Sequence, residues 1–501
     1  MKLFNSLTRQ LEDFEPINPP NVGVYTCGPT VYSYVTIGNW RTYFLGDLIV
    51  RTLKFKGYKP TYVMNITDVG HLTGDNLGDA DIGEDKLEKA AKQEQKTAWD
   101  VANFYANDFL EGYRKLNLTQ PFSFSRATQH IKEQLAMIKQ IEEKGFTYRT
   151  SDGIYFDTQK YEAEGNEYGK LSNIDQVKEG ARVEPNPEKK DPRDFALWKF
   201  SYPSGRNFDP EKDNPSQKRA MEWESPWGLG FPGWHIECSA MSTKYLGDQF
   251  DIHIGGEDLR STHHPNEIAQ TEAVTGKKPF VKYWLHGAFL LVNGGRMGKS
   301  LGNAYTLHDL EKKEYKPEHL RYFYLTGHYR QPLNFTWENL GSAKKAYEHL
   351  LERLAEFGKD VAERKPGKLS EKAVSYDSQF TKALENDLQV PQALATLWEM
   401  VKSDLPAIEK YQLLISWDEV LGLNLAQATK EHGFNYTYTG EKSGIKITSI
   451  VELPSEILRH IDDREVARKD RDWETADKMR EAIESQGYVV EDTEDGVVVR
   501  Q

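Results

Sequence analysis

Residues 21–29 read NVGVYTCGP, an apolar strand pattern that runs directly into Cys-Gly-Pro. A helical pattern follows from about residue 39 to 56, and a second strand pattern, PTYVMNI, covers residues 60–66. A strand, a crossover helix and a second parallel strand form a right-handed unit, and ligands bind at the carboxyl ends of such strands. The sequence therefore predicts an α/β fold with a Rossmann-like parallel sheet and a ligand site beside Cys27 and Thr67.

Beyond this unit, the patterns of apolar and polar residues divide the chain into four predicted regions. Strand patterns return at residues 251–254 and 280–285, so the sheet is expected to be completed after an insertion. The polar stretches 73–95 and 203–218 are predicted to be surface excursions. The predicted regions are a Rossmann-like catalytic domain (1–120 and 224–303), an inserted connective region (121–223), a helical region (304–430), and a linker with a small C-terminal domain (431–501).

The C-terminal part of the chain has the periodicity of amphipathic helices. Long helices are predicted at residues 337–357 and 378–402, separated by a charged hinge near 359–370. A loose stretch at 430–446 precedes the tail. The candidates for one buried helical face in the tail are Val466, Trp473, Ala476, Met479 and Ile483.

The composition favours a globular protein of about two to four domains, since the chain has 501 residues of which 38% are hydrophobic. A net charge of −13 argues against a nonspecific coat for nucleic acid, although local basic patches could still bind RNA. The N-terminal residues lack the apolar stretch of a signal peptide, and no segment approaches the roughly 20 apolar residues of a membrane span. We therefore expect a cytoplasmic protein without a membrane segment.

The chain has only two cysteines, Cys27 and Cys238, which excludes a disulfide framework and any zinc site that needs three thiolates. A single bridge or two unrelated buried thiols remain open. His263 and Glu267 lie one helical turn apart and can point at the same spot. With the cysteines they form a Cys/Cys/His/Glu set of the kind that binds zinc. The alternative is that His263 and His264 cap a helix beside a solvated Glu267.

A second candidate site is suited to phosphate. Gly38 and Asn39 stand at the predicted helix start, where backbone N–H groups and the helix dipole attract anions. A loop at residues 296–300, RMGKS, carries Arg296 and Lys299, whose charges could neutralise a leaving pyrophosphate. Each pattern alone is weak, because a loop with Lys, Ser and Gly is usually an ordinary solvated turn.

Taken together and in this order, the motifs resemble those of cysteinyl-tRNA synthetase, a class I aminoacyl-tRNA synthetase, over essentially the whole chain. The matching stretches are Cys27 to Tyr32, Thr36 to Asn39, Asn65 to Asp68, Gly233 to Cys238, His263 to Glu267, Arg296 to Asn303, His328 to Arg330, Asp387 to Leu388 and Arg468 to Trp473.

The resemblance implies a zinc ion that binds the thiolate of the substrate cysteine, with Cys27, Cys238, His263 and Glu267 as the matching ligands. It also implies that ATP with Mg²⁺ activates L-cysteine, and that the cysteinyl group is transferred to the 3′ end of tRNA(Cys) by a monomeric enzyme. The positions that match the surroundings of the amino acid or nucleotide are Thr67, Trp234, His253 and Asp258. The positions that match the phosphate-binding groups are Gly38, Asn39, Arg296 and Lys299.

Three positions depart from the family pattern. Thr36 stands where the family usually has histidine, Arg296 where it has lysine, and Gly298 where it has serine. A hydroxyl is therefore expected at one phosphate contact, and activation could be slower. Two rival functions remain at this point: a paralogue that joins cysteine to an amino-sugar acceptor, and a catalytically silent protein that binds zinc and RNA.

Overall fold

The structure is a computed structural model. It describes residues 1–70, 72, 84–172, 186–210, 212–213, 218–361, 367–427, 436–449, 453–493 and 496–500, and the structural statements below refer to these residues. The predicted excursions at 73–95 and 203–218 therefore lie in part outside the described residues. The chain forms two units. The first comprises Met1–Lys344, Ser378–Leu397 and Glu419–Leu421, and the second Lys345–Asp377, Trp398–Asp418 and Gly422–Gln501.

The first unit contains the strands up to residue 335 and most of the shorter helices. Its strands are β1 (Lys2–Asn5), β2 (Gln10–Asp13), β3 (Asn21–Thr26), β4 (Lys59–Ile66), β5 (Ser123–Arg126), β6 (Thr147–Arg149), β7 (Gly153–Phe156), β8 (Phe195–Phe200), β9 (Gly230–Pro232), β10 (Phe250–Gly256), β11 (Val281–Gly287), β12 (Leu290–Val292), β13 (Gly295–Arg296) and β14 (Leu333–Phe335). Its helices are α1 (Ile37–Phe55), α2 (Lys86–Glu94), α3 (Ala98–Lys115), α4 (Ile131–Glu143), α5 (Thr158–Ala163), α6 (Trp234–Leu246), α7 (His263–Thr275), α8 (Leu307–Glu311) and α9 (Pro317–Leu325).

A five-stranded parallel sheet with the order β11-β10-β3-β4-β5 forms the centre of this unit, which confirms the predicted fold class. The chain passes from β3 to β4 and β5 on one side, and later adds β10 and β11 on the other side of β3. The strand order therefore reverses between β3 and β10, and such a switch point opens a crevice at the carboxyl ends of the strands. The Cys27 N–H donates to the Ile254 carbonyl (3.0 Å) at this crevice.

Helix α1 begins at the crevice and packs on β3, β4 and β10. The Thr36 side chain caps its first turn by accepting from the Asn39 N–H, and Gly57, with φ of +84°, ends it. In its middle, the buried Asp47 carboxylate accepts from the Arg321 guanidinium at 2.6 Å and from Arg51 at 2.8 Å. These buried charges are paired, as burial requires, and they fix the position of the helix.

The inserted region forms a separate antiparallel sheet with the order β6-β7-β8-β9, and its apolar side chains pack with α4 and α6 in one core. Strand β5 lies within the predicted insertion but belongs to the parallel sheet, and β9 lies beyond the predicted insertion but completes the antiparallel sheet. The proposed domain limits themselves stay a prediction.

The predicted loop at residues 296–300 begins in a β-hairpin. Strands β12 and β13 pair antiparallel across Asn293 and Gly294, whose φ values are +51° and +77°. Asn-Gly is the sequence preferred where both turn residues need positive φ. Strand β12 also pairs with β14, so the start of the RMGKS segment is anchored to a small sheet.

The remaining elements are helices α10 (Trp337–Val361), α11 (Glu371–Glu385), α12 (Val390–Lys402), α13 (Ala407–Leu421), α14 (Ser455–Lys469) and α15 (Trp473–Ser485), and strands β15 (Tyr436–Thr439), β16 (Lys446–Ser449), β17 (Val489–Thr493) and β18 (Gly496–Arg500). Strands β15 to β18 form one four-stranded sheet, whose apolar side chains pack with α14 and α15. None of the helices in the described part of the chain is long and apolar enough to cross a membrane.

Three predictions for this part are wrong. The single helix at 378–402 is broken, because Asp387 and Leu388 adopt positive φ and the Asp387 carboxylate accepts from the Phe4 N–H and the Tyr329 hydroxyl. The stretch 430–446 is not uniformly loose, since it contains β15. Trp473 is 61% exposed rather than buried. It is the first residue of α15, so the preceding turn that a helical side chain normally covers is absent.

Candidate metal and nucleotide site

A cleft of about 210 Å³ lies at the carboxyl ends of β3 and β10, where the strand order reverses. Its walls come from the segment between β3 and α1, the first turns of α1 and α6, the residues after β10, and two lysines from more distant segments. The lining residues used below are Cys27, Tyr32, Ser33, Thr36, Asn39, Lys86, Trp234, Asp258 and Lys299.

The predicted metal-binding set lies at the end of the cleft that Cys27 lines, and it is called the floor below. Cys27 follows β3, Cys238 lies on α6, and His263 and Glu267 lie one turn apart on α7. One potential ligand atom of each residue lies within 4.8 Å of the others. The four residues are at most 6% exposed. Three separate elements therefore bring two thiols, an imidazole and a carboxylate together.

The Glu267 carboxylate joins two histidines. Its Oε1 lies 2.9 Å from His263 Nε2, and its Oε2 lies 2.9 Å from His253 Nε2. Burial alone would raise the pKa of Glu267, but the two imidazoles outweigh it and lower that pKa to about 2. Burial alone would lower the pKa of His263, but Glu267 and Cys238 raise it to about 10. The floor therefore holds a carboxylate in its charged form.

The two thiols differ from one another. Burial, and then the neighbouring Cys238, raise the pKa of Cys27 well above its ordinary value. A hydrogen bond from Cys27 lowers the pKa of Cys238 to about 6, and His263 contributes in the same direction. One thiolate beside a positive imidazole is thus favoured even without a metal ion, and both cysteines are free. The disulfide alternative is therefore not realised.

A second possible ligand set shares Cys27 and Glu267 with the first and adds His253 and His264. His264 Nε2 lies 3.5 Å from Cys27 Sγ, and its Nδ1 lies 2.8 Å from His286 Nε2. Burial lowers the pKa of His264 and takes that of His286 to about 3, so these rings are neutral at pH 7. The sequence analysis considered His264 only as a possible helix cap beside a solvated Glu267 and did not consider His286; Glu267 is in fact buried.

The donor set fits zinc. Zinc accepts thiolate, imidazole and carboxylate ligands at about 2.0–2.3 Å, and donors within 4.8 Å of one another can share one such ion. The first set contains two sulfurs and is the softer of the two, which favours zinc over magnesium or calcium. His253, with its ring stacked on Trp284 at 4.4 Å between centroids, orients Glu267 from behind.

At the other end of the cleft, the start of α1 faces the RMGKS segment. The position of a Cβ on Gly38 would lie 3.3 Å from Met297 Sδ, so any side chain there would crowd the segment. Lys299 Nζ contacts the Ser33 hydroxyl and lies 4.5 Å from the centroid of the Tyr32 ring. Lys299 is exposed as a whole residue, but it lines the cleft and burial partly desolvates its ammonium group. This desolvation, and then the Lys86 ammonium, lower the pKa of Lys299.

The predicted site residues are thus divided between three places. Asn39, Trp234, Asp258 and Lys299 line the cleft, and the Trp234 ring lies 4.4 Å from the His263 ring. Thr67 and His253 are buried beneath it; the Thr67 N–H donates to the Pro29 carbonyl at 2.9 Å. Arg296 is exposed on β13 and is not among the described residues that line the cleft.

Two residues that sequence reasoning missed support this arrangement. Arg41, on α1, donates to the carbonyls of Ala288 and Phe289 and to those of His328 and Gln331. It therefore ties the helix that starts at the cleft to the segments flanking the β12–β13 hairpin. Lys86, the first residue of α2, lines the cleft itself. The position of Arg41, four residues after Ile37 on the predicted helix, was a weak signal. No local pattern identified Lys86.

Comparison with known families gives two matches. Residues 13–345 match the model of the class I (C) tRNA synthetase catalytic domain, and residues 451–500 match that of the cysteinyl-tRNA ligase anticodon-binding domain. The first match contains every residue of the cleft described above. The second covers α14, α15, β17 and β18.

Individual proteins agree with these models. The chain is 40% identical to the cysteine–tRNA ligase of Treponema denticola, over 98% of each chain. It is 40% identical to cysteine–tRNA ligase 1 of Burkholderia lata, over 99% of this chain and 96% of that protein. Among solved structures, methionyl-tRNA synthetase of Mycobacterium tuberculosis bound by methionyl-adenylate has a TM-score of 0.53 at 15% identity, covering 82% of this chain and 92% of that one. This last likeness concerns the fold alone.

Proposed function

The chain belongs to the cysteinyl-tRNA synthetase family of class I aminoacyl-tRNA synthetases, and from this membership we propose how its cleft works. The protein is a cysteine–tRNA ligase, which activates cysteine with ATP and joins the cysteinyl group to tRNA. The observation that carries the mechanism is the position of the Cys/Cys/His/Glu set. Through Cys27 the set borders the same cleft whose other end holds the start of α1 and Lys299.

Zinc is the metal that we propose for this floor, held by Cys27, Cys238, His263 and Glu267. When bound, it supplies a Lewis acid that selects a thiolate ligand, because zinc binds soft thiolates well and a neutral hydroxyl poorly. An apolar pocket alone separates near-isosteric side chains by only about 10- to 200-fold. A metal-lined floor thus accounts for the rejection of serine without a second, editing site.

The residues of the chain then orient the amino acid above this floor. Trp234 lines the cleft beside His263, and its indole ring can cover the substrate side chain. The Asp258 carboxylate also lines the cleft and is the group that we propose to accept hydrogen bonds from the substrate ammonium. Thr67 supports the same wall from below, since the Val31 N–H donates to its carbonyl at 3.1 Å. These contacts direct the cysteine carboxylate toward the nucleotide.

Adenylate formation needs alignment and charge stabilisation more than a general base. The substrate carboxylate attacks the α-phosphorus of ATP·Mg²⁺, and pyrophosphate leaves. We propose that backbone N–H groups at Gly38 and Asn39 and the Lys299 ammonium bind the phosphates. Arg296 would contribute only as a more distant charge, because it lies outside the cleft lining.

Transfer to tRNA needs a surface beyond the catalytic cleft. The match of residues 451–500 to an anticodon-binding model supports tRNA as the acceptor rather than an amino sugar. We propose that the helices after residue 310 contact the stem, and that α14, α15 and the turn between them contact the anticodon through basic residues such as Arg471 in that turn. The monomeric state and the cytoplasmic location remain part of this proposal. Light scattering of the purified chain would test the first.

The testing experiment is cysteine-dependent exchange of pyrophosphate into ATP, with serine as the control and with a zinc chelator in a parallel series. We expect exchange with cysteine only, and its loss on chelation. Charging of tRNA(Cys) would then separate the ligase from a paralogue with another acceptor. Absence of exchange from folded, zinc-loaded protein would support the silent zinc- and RNA-binding alternative. Thr36→His would then be the first variant to test.

A further inference from the structure

Two lysine side chains from distant parts of the chain contact the same aromatic ring in the cleft. Lys299 Nζ lies 4.5 Å from the centroid of the Tyr32 ring, and Lys86 Nζ lies 5.4 Å from it. Both distances are in the range of a cation–π contact. Lys86, Lys299 and Tyr32 all line the cleft. The nucleotide end of the site therefore has a second cation besides the one in the RMGKS segment.

Lys86 is not a mobile surface lysine. It is the first residue of α2 and only 7% exposed. The preceding residue, Asp85, caps the helix by accepting from the N–H groups of Leu87 at 2.8 Å and Glu88 at 3.2 Å. The main chain at Lys86 is thus fixed by a helix cap, and a buried lysine held this way keeps a defined direction.

The inserted region reinforces that cap. The Arg219 guanidinium donates to the second carboxylate oxygen of Asp85, and its Cζ lies 3.8 Å from the centroid of the Phe231 ring. The Ala220 N–H donates to the Glu88 carboxylate at 2.9 Å. Residues more than 130 positions apart therefore cooperate to hold the start of α2 at the cleft.

Two like charges beside one ring repel each other, and Lys86 opposes the charged form of Lys299. The pKa of Lys299 is lowered by desolvation and then by Lys86. Such an arrangement favours a ligand that carries several negative charges, since that ligand interacts with both cations. The chain of phosphates in ATP has this property, whereas the adenosine and the amino acid do not.

We propose that Lys86 is a further substrate-contacting residue, which binds the β- and γ-phosphates of ATP, and thus the departing pyrophosphate, together with Lys299. The assignment rests on the proposed function, because that function supplies the nucleotide. In the reaction the cysteine carboxylate oxygen forms a bond to the α-phosphorus, while the bond from that phosphorus to the bridging oxygen breaks. The electron pair leaves with pyrophosphate, and Lys86 stabilises the added charge there.

The test compares three variants of the full-length, zinc-loaded chain. Lys86→Met removes the charge but keeps the length of the side chain, Lys86→Arg keeps the charge, and Lys89→Met changes an exposed lysine on the same helix. Binding of inorganic tripolyphosphate is measured by calorimetry, and the KM values for pyrophosphate, ATP and cysteine are measured by exchange. Adenosine serves as a competitive inhibitor that has no phosphate.

We expect Lys86→Met to weaken tripolyphosphate binding and raise the KM for pyrophosphate about 10- to 100-fold, the loss typical of a charge-assisted hydrogen bond. Adenosine inhibition and the KM for cysteine should stay within about twofold of the parent values. Lys86→Arg should recover most of the phosphate binding, and Lys89→Met should behave as the parent. If Lys86→Met does not fold, Lys86→Gln, which keeps a polar end, takes its place.

Three results would overturn the proposal. The first is tripolyphosphate binding by Lys86→Met that equals the parent, and the second is no tripolyphosphate binding by the parent itself. The third is an equal loss of adenosine, cysteine and phosphate affinity, which would indicate that Lys86 only stabilises the fold. Failure of the proposed function looks different, because the parent would then bind tripolyphosphate through both lysines yet show no cysteine-dependent exchange.

Discussion

The floor and the mouth of the cleft are built in opposite ways. On the floor, four potential metal ligands are buried, and the Glu267 carboxylate lies 2.9 Å from a ring nitrogen of both His263 and His253. At the mouth, Lys86 and Lys299 place two positive charges beside Tyr32. The floor therefore brings groups of opposite character together, whereas the mouth brings two cations together, with both of which a polyphosphate ligand can interact.

This difference indicates that the floor provides selectivity for the amino acid and that the mouth provides stabilisation of the phosphates. A buried, preorganised floor can select a side chain by its chemistry, because its donors do not rearrange on binding. A mouth with two neighbouring cations gains most of its interaction energy with the substrate only when the polyphosphate is present and its charge shifts to the leaving group. Selection of cysteine and stabilisation of pyrophosphate are therefore expected to be separable by mutation.

The largest effect is expected on the floor. Cys238→Ser replaces a thiolate with a hydroxyl, which is a poor zinc ligand at neutral pH. Loss of even an outer contact typically costs 10- to 100-fold in metal affinity, so loss of a direct ligand should cost more. We expect bound zinc, measured by mass spectrometry of the metal, to fall well below one per chain, and exchange to fall at least about 1000-fold.

Lys244→Met is the matched control, because Lys244 lies exposed on the same helix, α6, and pairs with Glu133 at the surface. Its zinc content and exchange should equal those of the parent. Full zinc content in Cys238→Ser would contradict the first ligand set. It would favour the set of Cys27, His253, His264 and Glu267.

The next effect concerns the mouth, where two cations of the RMGKS segment can be compared directly. Lys299 lines the cleft, and Arg296 is exposed on β13 outside its lining. Removing a group that stabilises transition-state charge typically costs about 100- to 1000-fold in kcat. We expect a loss of this size in exchange for Lys299→Met, and less than about tenfold for Arg296→Met. Zinc content should be unchanged in both.

An equal loss in the two variants would contradict the division between lining and non-lining residues. It would show that the segment moves toward the nucleotide during the reaction, so that Arg296 reaches the phosphates. Exchange measured at several ATP concentrations separates the cases, because a distant charge should raise KM more than it lowers kcat.

The sequence predicted the floor far better than the mouth, and the reason is physical. Metal ligands must be of a few residue types, so Cys27, Cys238, His263 and Glu267 were recognisable from chemistry and from the one-turn spacing on α7. Their convergence needed only the strand-end rule for parallel sheets. Lys86 had no such signature, since lysine is common on helices and only the tertiary structure brings it to Tyr32.

The fold shows the same contrast. Strands β3 and β4 and helix α1 were predicted to within about two residues, because a buried parallel unit has a strong local pattern. The helix break at Asp387 was missed, since it depends on hydrogen bonds from residues that are distant in sequence. Tertiary contacts overrode local periodicity there, and Leu388 adopts positive φ as a result.

A third prediction concerns α1, which both ends of the cleft share. Asp47→Asn leaves the buried Arg321 guanidinium without its carboxylate, and such a loss typically costs about 3–5 kcal/mol of unfolding free energy. Burial would raise the pKa of Asp47, but Arg321 and Arg51 outweigh it and lower that pKa. The stabilisation is therefore present above the unfolded pKa of about 3.9 and is lost as the pH falls through the lower folded value.

Urea unfolding at pH 7 and near pH 3 tests this directly. The difference between the parent and Asp47→Asn should be large at pH 7 and should shrink toward pH 3, because there the carboxylate of the unfolded chain is protonated and the unfolded state is favoured. Asp248→Asn, which changes an exposed aspartate, should alter the stability by less than about 0.5 kcal/mol at either pH. A difference that stays constant with pH would show that the charge of Asp47 is not what stabilises α1.

The smallest effect is expected at Thr36, where the family usually has histidine. Its hydroxyl accepts from the Asn39 N–H at 3.4 Å and donates to the Asn39 side-chain oxygen at 2.7 Å, so it acts as the cap of α1. Thr36→Ala should cost about 1 kcal/mol of unfolding free energy, and Thr36→Ser should retain most of it. Exchange by Thr36→Ala should fall less than about tenfold, because the helix start would still present its N–H groups to the phosphates. A loss of exchange as large as that of Lys299→Met, recovered in Thr36→Ser, would instead indicate that the hydroxyl binds phosphate directly. The mouth would then depend on single side chains, as the floor does.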